Sequence, residues 1–212
     1  MDIISLLNFF IHIDKSLISL IDIYGFWVYL ILFIIIFCET GLVVTPFLPG
    51  DSLIFVAGTI ATKGVLNLGI LFIILFVAAV LGDSINYWIG NKIGPRIFRS
   101  HTSKFFNENN LTRAHNFYEK YGGKTIIYAR FIPIIRTFAP FVAGIGEMSY
   151  FKFFVYNIIG GLLWVLIFLF GGYFFGQISF VENNLTLVII GIIIISLIPP
   201  IIEYVRERRK GF

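Results

Sequence analysis

Charge is what this chain has least of. Acidic and basic residues make up 13% of its 212 positions, while 58% are hydrophobic and 25 are Phe. A soluble globule cannot be wrapped from that mixture, which leaves too little polar surface to face water. The chain is therefore expected to be an integral membrane protein. Cysteine is nearly absent as well: Cys38 stands alone inside an apolar run, which excludes an intrachain disulfide. The three histidines, His12, His101 and His115, fall outside the segments that carry buried charge, and no Asp cluster with a Gly-x-x-x-Asp-x-x-x-Asp rhythm appears. An enzyme acting on lipid phosphates normally needs such a nucleophile or ligand set, so no enzymatic activity, metal or cofactor is expected. A basic n-region and a small-x-small site are also missing near the start, where Asp2 stands, so no cleavable signal peptide is expected.

What the chain has in quantity is long apolar runs. Residues 66–81, 153–170 and 185–202 approach or reach the roughly 20 apolar residues that cross a hydrocarbon core of about 30 Å. The short connections between them predict a single membrane domain over 1–212. Ahead of these runs, Ser5, Asn8, His12, Lys15, Ser19 and Asp22 recur at alternating steps of three and four, drawing one polar stripe along a helix over 3–23. Such an amphipathic helix either lies in the interface or spans with its stripe turned toward protein. Basic residues gather in the segment 92–124, where Lys92, Arg96, Arg99, Lys104, Arg113, Lys120 and Lys124 outnumber Glu108 and Glu119, and in the tail 204–212 with its RERRK. By the positive-inside rule both belong in the cytoplasm, and beside a membrane span that rule accounts for the tail without nucleic acid.

One stretch interrupts the apolar pattern. ETGLVVTPFLPGDSLIFVAG, starting at Glu39, carries two carboxylates, two prolines and three glycines. Pro46, Pro49 and Gly50 break a helix near the middle of an apolar region, and non-helical backbone at that depth is tolerated only when buried in protein or lining a cavity. The spacing predicts a re-entrant hairpin over 26–62, its first limb ending near Thr45 and Asp51 or Ser52 capping the second, Leu53 to Thr59. A second hairpin is predicted over 125–146, TIIYARFIPIIRTFAPFVAGIG, where Pro133 and Pro140 interrupt the run and Arg130 and Arg136 replace the acids. Val56-Ala57-Gly58 recurs as Val142-Ala143-Gly144, and Tyr87-x-x-Gly90 as Tyr173-x-x-Gly176, both at an offset of 86. That shared register points to an internal duplication. With the loops oriented as above, a transmembrane helix over 66–91 runs toward the cytoplasm and one over 150–176 runs away from it. The expected fold class is thus an all-α membrane protein of inverted repeats, each a re-entrant hairpin followed by a transmembrane helix. An N-terminal amphipathic helix and a C-terminal transmembrane helix over 185–203 frame them. Broken helices that converge at mid-membrane are the architecture of alternating-access transporters.

Charges at that depth are costly, about 2.5 to 3.5 kcal/mol for each Asp or Arg at a helix centre. Glu39, Asp51, Arg130 and Arg136 sum to zero, so one reading is a pair of buried salt bridges locking the hairpins together. The favoured reading is a substrate or ion path, which intramembrane ionisable residues usually mark. A site of this kind can bridge internally when empty and exchange partners when occupied. Arg130 and Arg136 offer planar forks suited to phosphate oxygens, and Glu39 and Asp51 are candidate proton carriers. Asp83, in LGDSINYWIG, is a secondary candidate; its alternative is a water-exposed or Asn86-paired structural residue.

The segments FCETGLVVTPFLPGDSLIFVAG, GDSINYWIG, FYEKYGGKTIIYARFIPIIRTFAPFVAG and YNIIGGLLW together resemble the bacterial DedA family of inner-membrane proteins, within the SNARE-associated or VTT-domain superfamily. The likeness extends over nearly the whole chain. It implies two facing re-entrant hairpins and lipid transport: members are linked to returning undecaprenyl phosphate across the membrane, others to phosphatidylethanolamine distribution, and eukaryotic relatives behave as lipid scramblases. It further implies that the family's functional acids and arginines fall on Glu39, Asp51, Arg130 and Arg136, and these motifs select no single lipid. The resulting expectation is a multi-pass, proton-coupled lipid-phosphate translocase of the bacterial cytoplasmic membrane, with its C-terminus in the cytoplasm. A membrane lipid is its partner, nucleic acid is not, and homo-oligomerisation is left open. A proton-coupled antiporter for a small cation or drug is the alternative, and a structural assembly protein the second. Cysteines introduced singly at Asn109 and Asn183, in a Cys38→Ala background, test the orientation. An impermeant thiol reagent should label only the second in intact cells; equal labelling of both overturns the inverted arrangement.

Overall fold

The computed structural model describes residues 23–42, 50–98, 122–184, 187–188 and 190–192. Outside them lie nearly all of the amphipathic helix expected over 3–23, Pro46 and Pro49, residues 99–121 of the basic segment, most of the helix expected over 185–203, the tail and all three histidines. Among the described residues every regular element is helical. A 3-10 turn, Gly25–Trp27, leads into α1 (Val28–Gly41), followed by α2 (Gly50–Ala61), α3 (Leu68–Phe98), α4 (Lys124–Ala129), α5 (Pro133–Ile145) and α6 (Tyr150–Val165). A π-helical turn, Leu166–Phe170, carries α6 into α7 (Gly171–Phe175), and α8 (Ser179–Asn183) comes next. Two stretches are long and apolar enough to cross a membrane, Leu68–Ile93 and Tyr150–Phe175, each of 26 residues with mean hydropathy 2.5 and 2.3. They fall where the helices over 66–91 and 150–176 were expected.

The helix breaks differ in detail from the expectation. α1 ends at Gly41, with the Leu42 N–H still bonded to the Cys38 carbonyl at 3.0 Å. α2 starts at Gly50, so Asp51 stands in its first turn rather than ahead of it as a cap; a carboxylate there still complements the free N–H groups of the helix start. In the second pair of helices the break runs from Arg130 to Ile132, and Pro133 opens α5 at a position where a missing N–H costs nothing. Pro140 is not a break. It lies inside α5, where its ring removes one backbone bond while neighbouring elements hold the chain helical. The Thr137 carbonyl, three residues earlier, accepts the Asn86 side-chain N–H at 2.7 Å, while the carbonyl that loses its helical partner to Pro140 is that of Arg136.

Contacts divide the chain into two compact units, the described parts of 1–35, 47–76 and 164–212 forming the first and those of 36–46 and 77–163 the second. In the first unit every residue of α2 is buried, and the helix packs on the π-helical turn and α7. A helix buried all round is positioned by close backbone approach rather than by amphipathicity. A Cβ added at Gly58 would collide with the Leu169 carbonyl oxygen, and one at Gly172 with that of Phe55. The Thr59 hydroxyl lies 3.1 Å from the Gly172 carbonyl oxygen and fastens the same contact.

The second unit contains an equivalent device. A Cβ at Gly144 on α5 would collide with the Tyr87 carbonyl oxygen on α3, and one at Gly90 with that of Phe141. Around it cluster Tyr87, Ile126, Ala129, Ala139, Ala143, Met148 and Phe153. The Tyr87 ring stacks on Phe153 at 4.6 Å and its hydroxyl donates to the Met148 carbonyl. Gly58→Ala and Gly144→Ala should each destabilise the purified protein by about 1–3 kcal/mol through overpacking. Gly191→Ala, whose new Cβ would meet no atom within 4 Å, should leave the thermal unfolding midpoint unchanged; equal midpoints for all three variants would show that the close approaches do not hold the units.

Candidate functional site

Two ion pairs lie in the interior of the second unit. Glu39 on α1 is fully buried and Arg136 on α5 is 3% exposed; Arg136 Nη2 donates to Glu39 Oε1 at 2.5 Å. Arg130 caps the end of α4 with its backbone still in the helical region, and its side chain reaches α3 and α6. Its Nη1 donates to Asp83 Oδ2 at 2.7 Å and to Asn157 Oδ1 at 2.8 Å. Val80, Asp83, Ser84 and Tyr87 follow one face of α3 at steps of three and four, so a single helix face meets the arginine, the amide and the aromatic core.

The amide of Asn157 is locked from behind. Its Nδ2 donates to the Val80 carbonyl at 3.0 Å and lies 3.4 Å from Ser84 Oγ, which leaves the carbonyl oxygen facing Arg130. Glycines follow on α6: a Cβ at Gly161 would stand 3.5 Å from Arg130 Cζ, so the guanidinium lies along a stretch of helix without side chains. Asn86 ties the other pair in place. Its Nδ2 donates to the carbonyls of Thr40 at 3.1 Å and Thr137 at 2.7 Å, the residues that follow Glu39 and Arg136.

Of the residues singled out from the sequence, the structure brings Glu39 to Arg136 and gives Arg130 the carboxylate of Asp83. Asp83 is neither water-exposed nor bonded to Asn86; it is 2% exposed, because Arg130 reaches it across the unit. Asp51 belongs to the first unit, where the indole N–H of the fully buried Trp164 donates to its Oδ1 at 2.9 Å. Asn157 and Trp164 were missed. Both stand in YNIIGGLLW, and a lone Asn within an apolar span is the signal that marks the first, since an amide there needs partners.

Residues 48–174 match the VTT domain family, a stretch that takes in Asp51, Asp83, Arg130, Arg136, Asn157 and Trp164 and leaves Glu39 ahead of it. Over 208 residues the chain is 55% identical to the Protein DedA of Escherichia coli (strain K12), covering 97% of this chain and 95% of that one. It belongs to the DedA family. The chain is also similar to an uncharacterized membrane protein of Mycobacterium leprae (strain TN), 47% identical over 169 residues (80% of this chain, 76% of that one), and to the inner membrane protein YqjA of Escherichia coli (strain K12), 36% identical over 153 residues (70% and 68%). No solved structure matches the chain.

The pairing predicts how stability responds to removing charge. Arg136→Gln takes the guanidinium from a buried Glu39 and should cost about 3–5 kcal/mol in denaturant unfolding of the purified protein. Adding Glu39→Gln should restore most of that loss. Combining Glu39→Gln with Arg130→Gln should not, since Asp83 then keeps a charge that has lost its own arginine.

Proposed function

We propose that this DedA-family protein is a lipid-phosphate translocase of the bacterial cytoplasmic membrane, coupled to protons and not an enzyme. The observation that carries this reading is the pair of buried arginines in one unit, Arg130 and Arg136, each paired with a carboxylate. Two such pairs stabilise a fold little better than well-packed apolar residues would, so their presence calls for a use. Guanidinium forks match phosphate oxygens, stay charged when buried, and are the groups suited to an anionic headgroup in a low-dielectric setting. The substrates we favour are undecaprenyl phosphate, as the family resemblance implies, or a phospholipid. Glu39 and Asp51 are the proposed proton carriers, and Asp83 is a secondary candidate.

The inverted-repeat architecture is part of this proposal. The glycine contacts support a duplication, because Gly58 and Phe55 stand at the same offset of 86 from Gly144 and Phe141 as the sequence motifs, while the glycines met by Phe55 and Phe141, Gly172 and Gly90, stand 82 apart. Multi-pass topology with the C-terminus in the cytoplasm rests on the basic segments. A proton-coupled cation antiporter is the second reading, favoured by Asp51, whose carboxylate takes a neutral indole N–H as one partner.

Arg136→Lys separates the two. It keeps the charge but loses the bidentate fork, so leaflet exchange of a fluorescent polyprenyl phosphate in reconstituted vesicles should slow about tenfold, while a neutral lipid lacking phosphate is moved poorly by wild type and variant alike. Purified protein that exchanges monovalent cations for protons and shifts neither lipid would establish the antiporter instead.

A further inference from the structure

One nitrogen of Arg130, Nη1, is shared between a carboxylate and Asn157, whose backbone carbonyl oxygen also lies 3.4 Å from it. Nη1 lies 2.7 Å from Asp83 Oδ2 and 2.8 Å from Asn157 Oδ1. A carboxylate whose task was to lock a guanidinium would favour the two parallel bonds of fork-to-fork geometry. Asp83 makes a one-point contact instead, and its Oδ1 has no hydrogen-bond partner among the described residues. Asn157 is held more firmly than Asp83: the bond from its Nδ2 to the Val80 carbonyl fixes the amide, and so the direction in which its oxygen faces. Beside the guanidinium, Gly160 and Gly161 present backbone only, with a Cβ at Gly161 placed 3.5 Å from Arg130 Cζ and 3.2 Å from Val80 Cγ2. A Cβ there would touch the arginine at ordinary contact distance and press on Val80.

We propose that Asp83 is a stand-in for a phosphate oxygen, holding Arg130 while the site is empty and giving way to the ligand, and that Asn157 is a positioning residue that keeps the guanidinium in place through the exchange. This rests on the lipid-phosphate reading above and assigns its steps to residues. A neutral amide suits the retaining role, because its oxygen orients the N–H without competing in charge with an incoming phosphate. A carboxylate suits the exchangeable role for the opposite reason: it offsets the buried cation between turnovers and is of the same chemical kind as the group that replaces it. Two carboxylates on Nη1 would hold the arginine too well, and two amides would leave its charge without an anion.

The proposal predicts opposite effects on binding and turnover, which a purely structural ion pair would not produce. Purified protein is titrated with a short-chain prenyl phosphate, with the matching prenol as the control lacking phosphate. Asp83→Asn removes the internal competitor, so Kd for the prenyl phosphate should fall about tenfold, while maximal leaflet exchange in vesicles should also fall because no carboxylate reclaims the arginine. Asn157→Asp adds a competitor and Asn157→Leu removes the side-chain oxygen that orients the guanidinium, so both should raise Kd about tenfold. Asp83→Asn protein that binds the prenyl phosphate no better than wild type overturns the stand-in role. Should that variant fail to accumulate, Asn157→Asp protein binding as tightly as wild type overturns the proposal by itself. Wild type that binds the prenyl phosphate no better than the prenol sinks the lipid-phosphate reading, and this inference with it.

Discussion

An arginine buried in an apolar protein must be met by acceptors, since the alternative is an uncompensated charge in a medium that barely screens it. Much of the second unit follows from that constraint. Arg130 stands at the C-terminal cap of α4, and its side chain reaches Asp83 and Asn157 together. Arg136 is delivered by α5 to Glu39, and the backbones on either side of that pair are tied by one amide, Asn86. Each polar group recruited to satisfy an arginine needs partners of its own, so the demand spreads to the Val80 carbonyl and Ser84.

Such a network requires backbones to come close, and glycine supplies the approach. In the first unit Gly58 lets α2 approach the Leu169 carbonyl of the π-helical turn and Gly172 lets α7 approach the Phe55 carbonyl of α2; in the second, Gly144 and Gly90 let α5 and α3 approach carbonyls of each other. Within a membrane the gain from packing helices is van der Waals contact and interhelical hydrogen bonding rather than expulsion of water, so small residues at crossings matter more than large apolar ones. The π-helical turn belongs to the same economy of contacts. It lies where α2 packs.

Both long spans were legible in the sequence because hydrophobic length is a local property, and α3 and α6 with their continuations lie within a few residues of the expected ranges. Glu39, Asp51, Arg130 and Arg136 were legible as buried charges for the same reason: an ionisable residue in an apolar run stands out without knowledge of its neighbours. The prolines were only half legible. Pro133 and Pro140 carry the same local signal, yet one starts α5 and the other lies inside it, because an internal proline is tolerated or not according to what packs around it.

Composition, hydrophobic runs and the placement of charge within them determined that this is a helical membrane protein with acids and arginines in its interior. They also exposed the offset at which its glycines repeat, since all of these are properties of residue type and order along one chain. Which acid meets which arginine was decided by tertiary structure alone. Asp83 rather than Asp51 faces Arg130, Trp164 answers Asp51, and Asn157 completes the hold on Arg130. Those partners lie 47, 113 and 27 residues apart along the chain, and an ion pair or hydrogen bond forms only between side chains that folding brings within about 3 Å of each other in the right orientation.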